Sequence, residues 1–198
     1  MVYIVDDDAS VRESLSVLLE SAGLKVRQYA SATSLLAEHP SEPGCIVTDV
    51  RMPEMDGLEL QEQIAKRGWH HPVIVMTGHG DVPLAVRAMR AGASDFLEKP
   101  FSDEAIIESV HRALDAGRRS RDKMAEIRAA QELLDQLTPR ERHVLDQLVA
   151  GRSNKVAAYE LGISPRTIEI HRARIMDKMH ARNLSDLVRT ALAAARAA

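Results

Sequence analysis

The chain has 198 residues, 45% hydrophobic and 28% charged, with a net charge of −3 at neutral pH. That length suits one or two globular domains, and the composition excludes low-complexity and collagen-like chains. No apolar run approaches the roughly 20 residues of a membrane span, the first residues lack a basic leader pattern, and a single cysteine, Cys45, excludes an internal disulfide framework. The expected compartment is the cytoplasm, with no membrane partner. The charge is uneven: residues 1–115 carry a net −9, 116–137 a net +1 and 138–198 a net +5. An acidic first part and a basic last part imply two domains with different partners. The small basic part is a candidate polyanion binder.

In chain order, short β-rich runs alternate with amphipathic ones. Strands are predicted at Val2–Val5, Lys25–Tyr29, Cys45–Thr48, Val73–Met76 and Asp95–Leu97. Between and after them, helices are predicted at Ser10–Ala22, Ser31–Glu38, Leu58–Arg67, Val82–Ala91 and Asp103–Leu114. Cys45 sits in an apolar run and reads as a core residue. Five successive βα units specify an α/β domain, a flavodoxin-like doubly wound sheet of five parallel strands over residues 1–115. Residues 116–137 lack strand signals and read as a charged connecting helix, with a mobile linker as the alternative. From Thr138 the pattern is all-α. Thr138-Pro139-Arg140-Glu141 forms a capping box, and Gly151 and Gly162 act as stops. Ser153 or Asn154, then Ser164, then Asn183 can cap the next helices. Four short helices over 138–198 make a compact bundle.

Polar signals follow four of the five strands: Asp6 and Asp7 after the first, Asp49 ending the third, Thr77 ending the fourth and Lys99 after the fifth. A strand order 2-1-3-4-5 would place them in one crevice at the carboxyl edge, and right-handed crossovers admit that order. Clustered carboxylates repel one another. Mg2+ relieves such repulsion and suits carboxylate oxygens. A carboxylate can also act as a nucleophile and form an acyl phosphate, with Lys99 and Thr77 as cation and donor around the phosphoryl oxygens. Taken singly, each residue has a plain reading, since acidic helix starts are common; the joint placement favours a shared site. His70, His71 and His79 invite a metal reading, but His70 and His71 are adjacent before a strand and face apart.

Val5-Asp6-Asp7, Asp49-Val50-Arg51-Met52-Pro53, Met76-Thr77-Gly78 and Lys99-Pro100-Phe101 resemble the signature of two-component receiver domains. The resemblance implies that a sensor histidine kinase phosphorylates Asp49. It implies Mg2+ on Asp7, Asp49 and the Arg51 carbonyl, with Asp6 assisting directly or through water. Lys99, before a cis Pro100, would pair with the phosphoryl group, while Thr77 and Phe96 shift behind it. Many receivers carry Tyr where this chain has Phe96. Phe has no hydroxyl to satisfy when buried.

Within the bundle, Ser153–Met179 reads helix, turn, helix. Ile168, Ile175 and Met179 recur at helical spacing and should face the core. The opposite face carries Arg166, Glu169, Ile170, Ala173 and Arg174, suited to a major groove apart from Asp177. Leu137–Glu141, Asn154-Lys155 and Ser164–His171 resemble the LuxR/NarL-type helix-turn-helix, and the whole chain, Gly78–Val86 especially, resembles regulators of the FixJ type. This implies contacts to double-stranded DNA from Lys155, Arg166, Thr167, Glu169, Ile170 and Arg174. It also implies a homodimer when phosphorylated and RNA polymerase as a further partner. Where relatives carry lysines this chain has Glu169 and Ala173, so their base preference does not carry over. Val156-Ala157 replaces a polar residue followed by Ile in many relatives, which should loosen helix packing slightly. The chain is expected not to be an enzyme beyond gaining and losing its own phosphoryl group. A phosphatase acting on a separate phosphomonoester and a helical protein-interaction module are the rival classes.

Overall fold

The structure is a computed structural model that describes residues 1–78 and 82–195. It divides into two compact units, Met1–Arg121 and Asp122–Ala198. The first contains β1 (Val2–Val5), α1 (Ala9–Ser21), β2 (Val26–Tyr29), α2 (Ala32–Glu38), β3 (Cys45–Asp49), α3 (Gly57–Lys66), β4 (Val73–Thr77), α4 (Val82–Arg90), β5 (Asp95–Glu98) and the start of α5 (Asp103–Asp135). The five strands form one parallel sheet in the order β2-β1-β3-β4-β5. Side chains alternate across it. Tyr3, Val5, Ile46, Val73 and Val75 face one layer, with Leu35, Leu58 and Ile64 of α2 and α3. Val2, Ile4, Val47, Ile74 and Met76 face the other, with Leu15 and Leu19 of α1 and Ile106 and Val110 of α5. Strands covered on both faces explain the unbroken apolar runs. Cys45 is wholly buried, which pushes its thiol up to about 12, so it stays protonated and inert.

His71 packs edge-on against Tyr3 and Trp69, and its Nε2 bonds the Glu42 carbonyl at 3.0 Å. Burial pushes its imidazole below the ordinary value. His70 is exposed, so the neighbours do face apart. His79 lies outside the described residues, as does part of the Gly78–Val86 stretch.

The helix expected to end at Leu114 continues to Asp135, so that α5 is 33 residues long. Gly117 lies within it, where the helix passes close to Pro72: a Cβ on Gly117 would sit 3.0 Å from Pro72 Cγ. Ala130 and Leu134 of its last turns belong to the core of the second unit, so residues expected to be connector contribute packing surface.

That unit continues with α6 (Pro139–Val149), α7 (Asn154–Leu161), α8 (Pro165–Lys178) and α9 (Leu184–Ala195). Ser153, not Asn154, caps α7, and Ser164 caps α8. Asn183 Oδ1 accepts from Asp186 N–H at 2.9 Å. The Thr138–Glu141 capping box is present on α6. Glu141 is only 3% exposed, and Lys178 Nζ, at the far end of α8, donates to its Oε2 at 2.7 Å. The Lys178 ammonium, then the Thr138 N–H, hold this carboxyl down to about 2. Glu141 thus joins a local cap to a tertiary ion pair. Among the described residues no helix is long and apolar enough to cross a membrane.

A carboxyl held below its ordinary value of 4.5 stabilises the fold above that pH, and the stability is lost as pH falls towards about 2. Lys178→Met should therefore lower stability at neutral pH by about 1–3 kcal/mol. The difference should shrink steadily in acid. Urea melts followed by helicity across that range are the check.

Candidate functional site

Register brings the predicted residues together. Val5 pairs with Thr48, Asp49 with Met76 and Thr77 with Glu98. Asp6, Asp49 and Thr77 therefore lie side by side at the carboxyl edge of β1, β3 and β4. Asp6 is 2% exposed, Asp49 8% and Thr77 fully buried. Lys99 N–H donates to the Thr77 carbonyl at 2.7 Å, and Lys99–Pro100 is cis. The Lys99 ammonium donates to Asp49 Oδ1 at 2.7 Å and to Asp6 Oδ2 at 3.0 Å. Burial pushes this ammonium's pKa down; the Asp49 and Asp6 carboxylates outweigh that and leave it above its ordinary value.

The other carboxylate oxygens are tied to backbone. Arg51 N–H donates to Asp49 Oδ2 at 2.6 Å, and Asp8 N–H donates to Asp6 Oδ1 at 2.9 Å. Asp7 stands exposed at the edge. Among the described residues no three acidic, His or Cys side chains are gathered as a metal cluster; the structure brings two carboxylates together and leaves Asp7 beside them. One ammonium against two buried carboxylates leaves a negative excess, and the oxygens are hard donors. That donor set fits a hard divalent cation such as Mg2+. Phe96 is half-buried, pairs with Val75 in register and packs on the core beneath the site.

Two contributors escaped the sequence reading. Arg12, one turn into α1, donates from its guanidinium to the Asp6 carbonyl at 2.7 Å. Gly57 opens α3, its N–H donating to the Val50 carbonyl at 2.9 Å. A Cβ there would collide with the Asp49 carbonyl. The Asp56-Gly57 pair was a legible helix start, but only the packed fold shows what it abuts.

In the second unit, Ile168, Ile175 and Met179 of α8 are buried in the helical core. Arg166, Glu169, Ala173 and Arg174 are exposed, and Ile170 is 47% exposed. Thr167 is partly withdrawn: its N–H donates to Ser164 Oγ at 3.1 Å, and the two hydroxyls share a hydrogen bond of 2.8 Å. Its hydroxyl is already engaged in the helix cap. Lys155 is exposed on the first turn of α7. Ala157 is fully buried while Val156 is 43% exposed, so the smaller residue fills the core position.

These features define a receiver-type acidic site on one unit and a helix-turn-helix on the other. Residues 2–111 match the response regulator receiver domain, and residues 135–191 match the bacterial regulatory proteins of the luxR family. The chain belongs to the two-component response regulators, as a receiver domain followed by a LuxR-type DNA-binding domain. It is of the FixJ type. It is 54% identical to the transcriptional regulatory protein FixJ of Azorhizobium caulinodans, over 98% of this chain and 92% of that one. The solved structure of the response regulator StyR matches with a TM-score of 0.84 at 42% identity, covering 96% of each chain. Full-length FixJ from B. japonicum matches with a TM-score of 0.61 at 45% identity, covering 98% of this chain and 97% of that one.

Gly57→Ala should push the end of β3 away from α3. The expected loss is about 1–3 kcal/mol of stability, as for overpacking elsewhere. Because the displaced backbone is that of Asp49 itself, uptake of a phosphoryl group should slow as well if Asp49 is the acceptor proposed below. Denaturation midpoints and acetyl phosphate labelling rates measure the two effects separately.

Proposed function

We propose that this chain is a phosphorylation-switched transcription regulator whose phosphoacceptor is Asp49. The observation that carries the proposal is the Lys99 ammonium shared between Asp49 and Asp6. Asp49 ends the strand flanked by β1 and β4, so groups that stabilise a phosphoryl oxygen can reach it from both sides. Asp7, Asp49 and the Arg51 carbonyl would hold Mg2+, with Asp6 assisting. When bound, the ion offsets charge on the phosphoryl oxygens.

In this reading a sensor histidine kinase supplies the phosphoryl group. An Asp49 carboxylate oxygen forms the new bond to phosphorus as the bond to the donor's imidazole nitrogen breaks. Lys99 then transfers its hydrogen bond from the carboxylate to the phosphoryl group, and the Thr77 hydroxyl donates to a second oxygen. Phe96 follows inward. The chain's only chemistry is this uptake and later hydrolysis. Differential contacts to the phosphoryl group favour one state of the receiver, whose surface around α4 and β5 takes a second copy. The paired α8 helices then read two half-sites of double-stranded DNA, where RNA polymerase is a further partner. Lys155, Arg166 and Arg174 contact phosphates, Glu169 and Ile170 face base edges, and Thr167 acts mainly through the cap.

Acetyl phosphate with Mg2+ should add one phosphoryl group to the chain, with labelling absent in Asp49→Asn. In the same samples, sedimentation should report mostly monomer before labelling and dimer after it, with operator affinity rising in parallel. Full labelling of Asp49→Asn would exclude this residue as the acceptor.

On DNA, Arg174→Ala should weaken binding broadly and reduce the salt slope by about one unit. Glu169→Ala should instead change sequence preference, by about 1–3 kcal/mol at the affected base. Salt titrations and a binding-site selection distinguish the two.

A further inference from the structure

Asp6 is held through both its backbone groups and both its carboxylate oxygens. Its N–H donates to the Tyr29 carbonyl at 3.2 Å, Oδ1 accepts from Asp8 N–H at 2.9 Å, and Oδ2 accepts from Lys99 at 3.0 Å. Its carbonyl oxygen accepts from Arg12 Nη1 at 2.7 Å. That carbonyl belongs to the peptide whose N–H is Asp7's. Fixing its plane restricts the backbone of Asp7 and so the direction in which the Asp7 side chain leaves the chain. Asp7 is exposed and has little packing of its own to hold it.

Arg12 forms no ion pair within 4.0 Å with a carboxylate among the described residues, although three aspartates lie just before it in the chain. Its guanidinium bonds a backbone oxygen instead. An Arg placed for charge alone would pair with a carboxylate, where charge-assisted forks are strongest. We propose that Arg12 is a positioning residue of the phosphoryl site, which orients the Asp6–Asp7 peptide so that the Asp7 carboxylate is held ready for a divalent cation. The proposal rests on the reading of the acidic pocket as a phosphoryl site.

Charge and position predict opposite signs. Removing a nearby positive charge strengthens the attraction of a dication to the pocket. Losing the orientation of a ligand weakens it, typically about 10-fold for groups that act behind a ligand. The test is calorimetric titration of Mg2+ into the full-length chain and its variants, with thermal melts alongside. Arg12→Ala should bind Mg2+ about 10-fold more weakly, and Arg12→Lys, which keeps a donor, should recover part of that. Both should slow labelling by acetyl phosphate at low Mg2+ and approach the parent rate at saturating Mg2+, a dependence that general loosening of the fold would not produce. Unchanged or tighter Mg2+ binding by Arg12→Ala overturns the proposal. If Arg12→Ala does not fold, Arg12→Lys decides it: parent-like Mg2+ affinity overturns it and weaker binding supports it. Asp49→Asn run in parallel separates the levels. If that variant binds Mg2+ as the parent does, the phosphoryl-site reading itself fails.

Discussion

Two carboxylates buried at the end of a parallel sheet, sharing one ammonium, are the constraint on which the receiver depends. Asp6 and Asp49 come from different strands, and Lys99 from a third. Burying like charges together is unfavourable unless they are paired and hydrogen-bonded. Here each oxygen has a donor: Lys99 on one side of each carboxylate, the N–H of Asp8 or Arg51 on the other. Removing one partner of such a pair elsewhere costs about 3–5 kcal/mol. The edge is thus held tightly while keeping a negative excess.

The sheet makes this arrangement possible because all five strands run the same way. Their carboxyl ends lie along one edge, and the reversal of strand order between β1 and β3 opens the crevice. The surrounding packing is specific at close range. Gly57 lets α3 start directly against the Asp49 carbonyl, and the Asp56–Glu59 capping box fixes that start.

The helical unit solves a different problem with similar means. It is small, so its core alone gives a modest margin, and caps contribute a larger share of its order. Glu141 illustrates the economy: it closes the first turn of α6 and also pairs with Lys178 on α8. Ile168, Ile175 and Met179 consume the inward face of α8, which frees its charged outward face for another surface. Thr167 is the exception, since helix capping already occupies its hydroxyl.

The chain by itself determined the elements and the motifs. Strand ends, caps at Thr138, Ser164 and Asn183, and the succession Asp6, Asp49, Thr77, Lys99 were legible because periodicity, capping and turn chemistry act over a few residues. Sequence left the cap of α7 undecided between Ser153 and Asn154, and it read as a helix ending at Leu114 and a separate connector over 116–137 what the fold makes one helix, α5. Strand order was only admissible from sequence; pairing selected it. Only the tertiary structure decided that Lys99 serves Asp6 and Asp49 at once, across 93 and 50 residues of chain, that Lys178 completes the Glu141 cap, and that Arg12 turns to a backbone oxygen. Such partners are chosen by register and packing between distant segments, for which local residue patterns carry no signal.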